Sequence, residues 1–215
     1  MDDFSVSDIV VNLLLAARWT IGLTLVAFAG GGLAGLAILV ARIDARPWLN
    51  RPAKGYIGLF QGTPLLLQLF VVFFGLPLLG LRIEPWIAAI FGLTVYASAF
   101  LTEIWRGGVE ALPKGQWEAA AALGLSAVAR LRLVILPQAL RLTLPPAVGF
   151  LVQLVKATAV TSIIGFSELM KTANAINNAT FEPFTVYGVV ACIYFLLCFP
   201  LTAYARRLEA ASHRR

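Results

Sequence analysis

The chain has 215 residues, of which 60% are hydrophobic and only 13% charged, with a formal net charge of +6. That balance excludes a soluble globular domain, in which roughly a quarter of residues are charged. The basic excess does not require a nucleic acid partner, because it falls in short loops between apolar stretches.

A helical membrane span needs about 20 mostly apolar residues. Five stretches qualify, at 20–40, 56–80, 85–104, 143–166 and 186–204. They predict an all-α polytopic membrane protein, with one transmembrane domain over 1–215. The opening Met1-Asp2-Asp3-Phe4 is acidic where a secretory signal is basic, and the first apolar stretch is too long for a signal core, so no cleavable signal is expected.

Basic residues set the orientation. Arg42, Arg46, Arg51 and Lys54 follow the first stretch, Arg106, Lys114, Arg130, Arg132 and Arg141 follow the third, and Arg206, Arg207, Arg214 and Arg215 close the chain. The opposite side carries only Arg18, Arg82 and Lys171. The positive-inside rule then places the N-terminus outside and the C-terminus in the cytoplasm.

In the first stretch, Gly31 and Gly35 form a small-xxx-small pair, read as close helix packing within this chain rather than a dimer seam. In the second, Gly62 and Pro64 are expected to bend or unwind the helix, with Thr63 satisfying freed backbone groups. Gln68 follows at membrane depth, where an amide needs a partner or a wet cavity; interhelical glue and pathway lining both remain open. The third stretch ends at Glu103 and Arg106, three residues apart, which reads as a local ion pair, with a proton relay as the alternative.

The segment 107–138 avoids the apolar composition around it. Residues 117–123 are rich in helix formers, with Glu118 expected in the first turn, and Gly124 ends the run. Ser126 suits the cap of a second short helix carrying Arg130 and Arg132, which Pro137 is expected to stop. Two short helices with a sharp bend form a shape for docking.

In the fourth stretch, Gly149, Gln153 and Lys156 fall on one helix face, and a cation at that depth marks a functional site by default, set against pairing with a neighbouring helix or snorkelling. Segment 168–185, with Asn174, Asn177 and Asn178, reads as a short amphipathic outer stretch and loop. Cys192 and Cys198 read as small apolar residues.

No chemistry of fuel use is visible. None of Lys54, Lys114, Lys156 and Lys171 follows a glycine, so a G-x-x-x-x-G-K-S/T loop is absent, and His213 is the single histidine. No catalytic residue, metal site or cofactor is expected in this chain. An ion-coupled secondary transporter or a channel-like protein is the alternative class. The former would need carboxylates at depth, and Glu103 alone is available, near an edge.

Glu118-Ala119-Ala120, then Gly124, Val134 and Leu136-Pro137, resembles the cytoplasmic loop pattern of ABC-importer permeases, E-A-A, three residues, G, nine residues, I, one residue, L-P, with valine in place of isoleucine. The flanks Gln61-Gly62-Thr63-Pro64-Leu65-Leu66-Leu67-Gln68 and Glu103-Ile104-Trp105-Arg106-Gly107-Gly108, with Pro137-Gln138-Ala139 through Pro145, narrow the likeness to the polar amino acid uptake family, over essentially the whole chain. The resemblance implies a type I importer fold of five helices, working as a homo- or heterodimer in the bacterial inner membrane. It also implies two ATPase subunits holding ATP and Mg, and a soluble binding protein delivering a polar amino acid. Glu118, Ala119, Ala120, Gly124, Leu125, Ser126 and Arg130 would meet the ATPase, with Gly124 as the hinge and Glu118 steadying the first helix. The segment 125–134 would then rock the third and fourth spans. Gln68, Gln153 and Lys156 are the expected substrate-contact residues, unless the substrate site sits mainly in a partner permease.

Overall fold

A computed structural model of the chain describes residues 5–44 and 46–212. The expectations for Met1–Phe4, Arg214 and Arg215 lie outside the described residues.

Helix α1 (Val6–Ile43) opens with a capping box, in which Ser5 and Asp8 satisfy each other's backbone amides. Helix α2 (Pro47–Gly62) is followed by α3 (Leu65–Phe70), a π turn (Val71–Gly75) and the short α4 (Leu76–Leu78). Helix α5 (Pro85–Glu110) leads to α6 (Lys114–Ala122) and α7 (Ala127–Arg130); a second π turn (Leu131–Ile135) joins α7 to α8 (Leu136–Ala157). A 3-10 turn (Thr158–Ser162) precedes α9 (Leu169–Thr180) and α10 (Pro183–Ser212). Among the described residues, four helical runs are long and apolar enough to cross a membrane, and the pair Pro47–Gly62 and Leu65–Leu78, bent by 105°, makes a fifth if counted as one span.

The expected break at Gly62–Pro64 is therefore a right-angle turn. Pro64 lacks an amide hydrogen and pushes Thr63 into extended backbone, ψ 144°, which ends α2. The Thr63 hydroxyl donates to Leu59 O at 2.7 Å.

Helices α1 and α5 form the central pair. A Cβ on Gly31 would lie 2.5 Å from Ala97 Cβ and 3.0 Å from two backbone atoms of α5; one on Gly35 would lie 3.0 Å from Ser98 O. The two backbones therefore meet inside the chain, as the Gly31/Gly35 spacing predicts. Thr102 donates from its hydroxyl to Gly35 O at 3.0 Å, joining the same helices. Leu69, Leu93, Leu101, Phe150 and Leu154 fill the space between α3, α5 and α8. Phe100 and Phe150 stack at 5.4 Å. A second cluster, with Ile9, Leu13, Leu169, Ala173, Val186 and Val190, joins the start of α1 to α9 and α10. Helix α9 is amphipathic, burying Leu169, Ala173 and Ile176. In α10, Cys192 is exposed and Cys198 buried.

Candidate functional site

The segment 107–138 differs in two respects from the sequence reading. Helix α6 begins at Lys114, behind Pro113, so Glu118 lies beyond the first turn and makes no cap. Its side chain is exposed and forms no ion pair among the described residues. Nor does Pro137 end the second helix: one continuous run extends from Ala127 to Ser162. Proline deletes one amide and crowds the carbonyl four residues back. The π turn at Leu131–Ile135 widens the helix there, with the Leu136 amide donating to Leu131 O.

The bend itself forms as read. Gly124 has φ +75°, its amide donates to Ala121 O at 2.9 Å, and the Leu125 amide donates to Ala120 O at 3.3 Å. This pair of bonds is a Schellman ending, which favours glycine at the left-handed position. Ser126 Oγ accepts from the Ala129 amide at 3.3 Å and caps α7.

Beneath the bend, Val109, Leu112, Ile135 and Ala139 form a small core against which Trp117, Leu131 and Val134 pack. Gln138 donates to Gln116 Oε1 at 3.2 Å and ties α8 to α6. A Cβ on Gly108 would meet Thr143 Cγ2 at 2.2 Å, so α5 and α8 touch at the root of this unit. Above the core, Leu123 and Val128 are 80% and 74% exposed. Ala119, Gly124 and Ser126 are also exposed, Leu125 and Arg130 are half-buried, and Ala120 is buried. A packed base thus carries an apolar tip with no partner among the described residues, the arrangement of a docking surface.

The three residues read as substrate contacts separate into two places. Gln68 is buried, and its Nε2 donates to Phe60 O at 2.9 Å and to Thr63 O and Oγ1 at 3.0 Å each. Its amide nitrogen caps the broken end of α2, while its Oε1 is buried with no partner among the described residues. Gln153 and Lys156 stand together on the exposed face of α8, continuing the line from Pro146 and half-buried Gly149. No hydrogen bond joins Gln68 to either among the described residues. A groove of about 480 Å³ runs beside Pro146 and Gly149, closed on the other side by Thr202, Ala205, Arg206 and Glu209 of α10.

Two charged groups have wider roles than their sequence positions suggest. Glu103 accepts from Arg106 Nε at 2.7 Å, as read, but also from Arg42 Nε of α1 at 3.2 Å. Arg106 reaches on to Glu110. Glu168 was not singled out by the sequence. It is fully buried, caps α9 by accepting from the Lys171 amide at 2.9 Å, and accepts from the Thr20 hydroxyl of α1 at 3.3 Å and from the Tyr194 hydroxyl of α10 at 3.4 Å. Burial raises its carboxyl above the usual range, opposed by those hydrogen bonds. An acidic residue before an apolar-periodic run is a helix-start signal, and marks the cap though not the burial.

A bundle of apolar helices long enough to cross a membrane, with an exposed apolar tip on a packed base and an exposed lysine on one helix face, is the architecture of a membrane subunit of a transport system. Residues 34–214 match the family described as binding-protein-dependent transport system inner membrane component, and the chain belongs to that family. It is similar to the probable amino-acid ABC transporter permease protein YckA of Bacillus subtilis (strain 168), 36% identical over 191 residues, 89% of this chain and 84% of that one. It is also similar to the glutamine transport system permease protein GlnP of Escherichia coli (strain K12), 34% identical over 199 residues, 92% and 91% of the two chains. Among solved structures, an amino acid ABC transporter crystallised with histidines superposes with a TM-score of 0.90 at 31% identity, over 98% of this chain and 99% of the other. The MetNI methionine ABC transporter shares the fold, with a TM-score of 0.77 at 24% identity, over 92% and 95%. The chain is thus a permease subunit of an ABC importer in the inner membrane, a non-catalytic part of it.

Proposed function

We propose that this permease carries a polar amino acid, working as a pair with itself or with a close relative. The amino-acid and glutamine permeases among its relatives support the substrate class. The pairing is supported by Gln153 and Lys156, which a single chain leaves uncovered at membrane depth. An ammonium facing hydrocarbon is costly, so a second permease or a water-filled path covers that face. There Lys156 would meet the substrate carboxylate and Gln153 its remaining polar atoms. Gln68 would contribute through its unpartnered Oε1.

The observation that carries the coupling reading is the exposed tip of Leu123 and Val128 on its packed base. Two ATPase subunits, holding ATP and Mg, would each take one such tip into a surface cleft. Contact would run over Glu118, Ala119, Ala120, Gly124, Leu125, Ser126 and Arg130. Because α7 runs without interruption into α8, a push at the tip moves α8 as one body and shifts the face bearing Lys156. The basic loops support a cytoplasmic tip and C-terminus, with the N-terminus, α9 and the binding protein outside.

The test is uptake by proteoliposomes containing the permease and its copurified ATPase, with the binding protein outside, scanned over acidic, neutral and basic amino acids. ATP-dependent uptake of at least one polar amino acid is expected. Uptake of none, or uptake independent of ATP, would end this reading.

A further inference from the structure

Helix α1 packs chiefly against α5 rather than against the docking tip, and two polar clusters among the described residues are fastened to it. At one end, Arg42 donates to Glu103 Oε1 at 3.2 Å, and Glu103 holds Arg106 at 2.7 Å. Asn50 donates to Arg42 O and fixes the end of the helix there. Only Ala111, Leu112 and Pro113 separate the α5 end of this cluster from α6.

At the other end, Thr20 does two things with one hydroxyl. It donates to Glu168 Oε2 at 3.3 Å and accepts from the Leu169 amide at 3.3 Å, and both Thr20 and Glu168 are fully buried. The same carboxylate caps α9, so α1 grips the first turn of that outer helix. Between the two latches α1 cannot slide freely, because Gly31 and Gly35 sit against α5 backbone and Thr102 donates to Gly35 O. Thr20 and Arg42 are 22 residues apart, roughly 33 Å along the axis. Coupling over such a distance travels through packed, hydrogen-bonded elements that move as units.

We infer that α1 is a rod joining the root of the docking tip to the outer helix α9, with Glu103 and Glu168 as positioning residues that latch it at each end. The inference rests on the importer reading above: it states how occupancy of the outer face by the loaded binding protein would reach the ATPase. Neither carboxylate touches substrate in this role. Each holds α1 in register with a neighbour.

The test uses the permease–ATPase complex in proteoliposomes, with ATPase activity read with and without loaded binding protein. Thr20→Val keeps the shape and removes the hydroxyl, whereas Thr20→Ser keeps the hydroxyl. Thr20→Val and Glu103→Gln are each expected to lower binding-protein stimulation about fivefold or more, with basal activity within about twofold of the unaltered complex. Thr20→Ser should retain the stimulation. Two breaks in one rod interrupt the same path, so the double variant should lose no more than the worse single one. Full stimulation in Thr20→Val, or a double loss equal to the product of the single ones, would overturn the inference.

Should a variant not assemble, amide hydrogen exchange in the unaltered complex decides. ATP should alter exchange at 169–173 as well as at 107–138, and a change confined to 107–138 would overturn it. If the unaltered complex shows no stimulation at all, the importer reading fails first, and the rod with it.

Discussion

Gly31 of α1 lies so close to Ala97 of α5 that a single added carbon would sit 2.5 Å from its Cβ, with Ser98 N and Thr94 O each at 3.0 Å. Backbone atoms cannot turn aside as a flexible side chain can. Gly31→Ala should therefore destabilise the subunit by about 1–3 kcal/mol, the usual cost of overpacking. Gly22→Ala, on the same helix with nothing within 4 Å, should be close to neutral. Thermal unfolding of the two detergent-solubilised variants checks this; equal behaviour would count against the packing described.

Gly124 is constrained for a different reason. Its Cβ would meet nothing within 4 Å, but φ is +75°. A β-branched residue in that conformation costs roughly 1–2 kcal/mol and favours rotation of the bend away from its present angle. Gly124→Val should leave the protein in the membrane while reducing uptake per ATP hydrolysed. Unchanged stoichiometry would remove the bend from the coupling path.

Glu168 gives a pH signature. Burial raises its carboxyl, so the folded chain holds that proton more tightly than the unfolded chain does. The stability this contributes is fully present below the ordinary carboxylate value and is lost as pH rises through the raised one. Glu168→Gln removes the titration. Its unfolding temperature relative to the unaltered protein should shift in the variant's favour as pH rises from acid toward neutral. A difference that does not vary with pH would contradict this.

Lys156 tests the open face of α8. Lys156→Ala should reduce uptake and substrate-stimulated ATPase activity, with assembly with the ATPase intact, because the docking tip is separate from that face. Unchanged uptake together with unchanged stimulation would take Lys156 out of the path.

What the sequence made legible was local chemistry. The Gly62–Pro64 break, the Gly124 ending and the Ser126 cap each follow from the residue at the position and its immediate neighbours. The Gly31/Gly35 pair was legible because helical spacing alone puts two small residues on one face. Glu168 was not, because a loop carboxylate looks solvated until Thr20, 148 positions away, closes over it. Arg42 escaped for the same reason, being 61 positions from Glu103. Pro137 misled as a helix stop, because a π turn ending two residues earlier, at Ile135, widens the helix where its amide is missing. Glu118 was placed too near a helix start, because the helix extends back to Lys114 behind Pro113.

On the proposal made above, the tip formed by Leu123 and Val128 is where a separate ATPase grips this subunit. The most direct measurement is ATP-driven amino acid uptake by proteoliposomes prepared with and without that ATPase, for the unaltered chain and for Val128→Asp. Uptake is expected only when the ATPase is present. Val128→Asp, with a charge in the apolar contact, should release the ATPase and abolish uptake while the permease stays in the membrane. Uptake without the ATPase, or full uptake by Val128→Asp, would contradict the proposal.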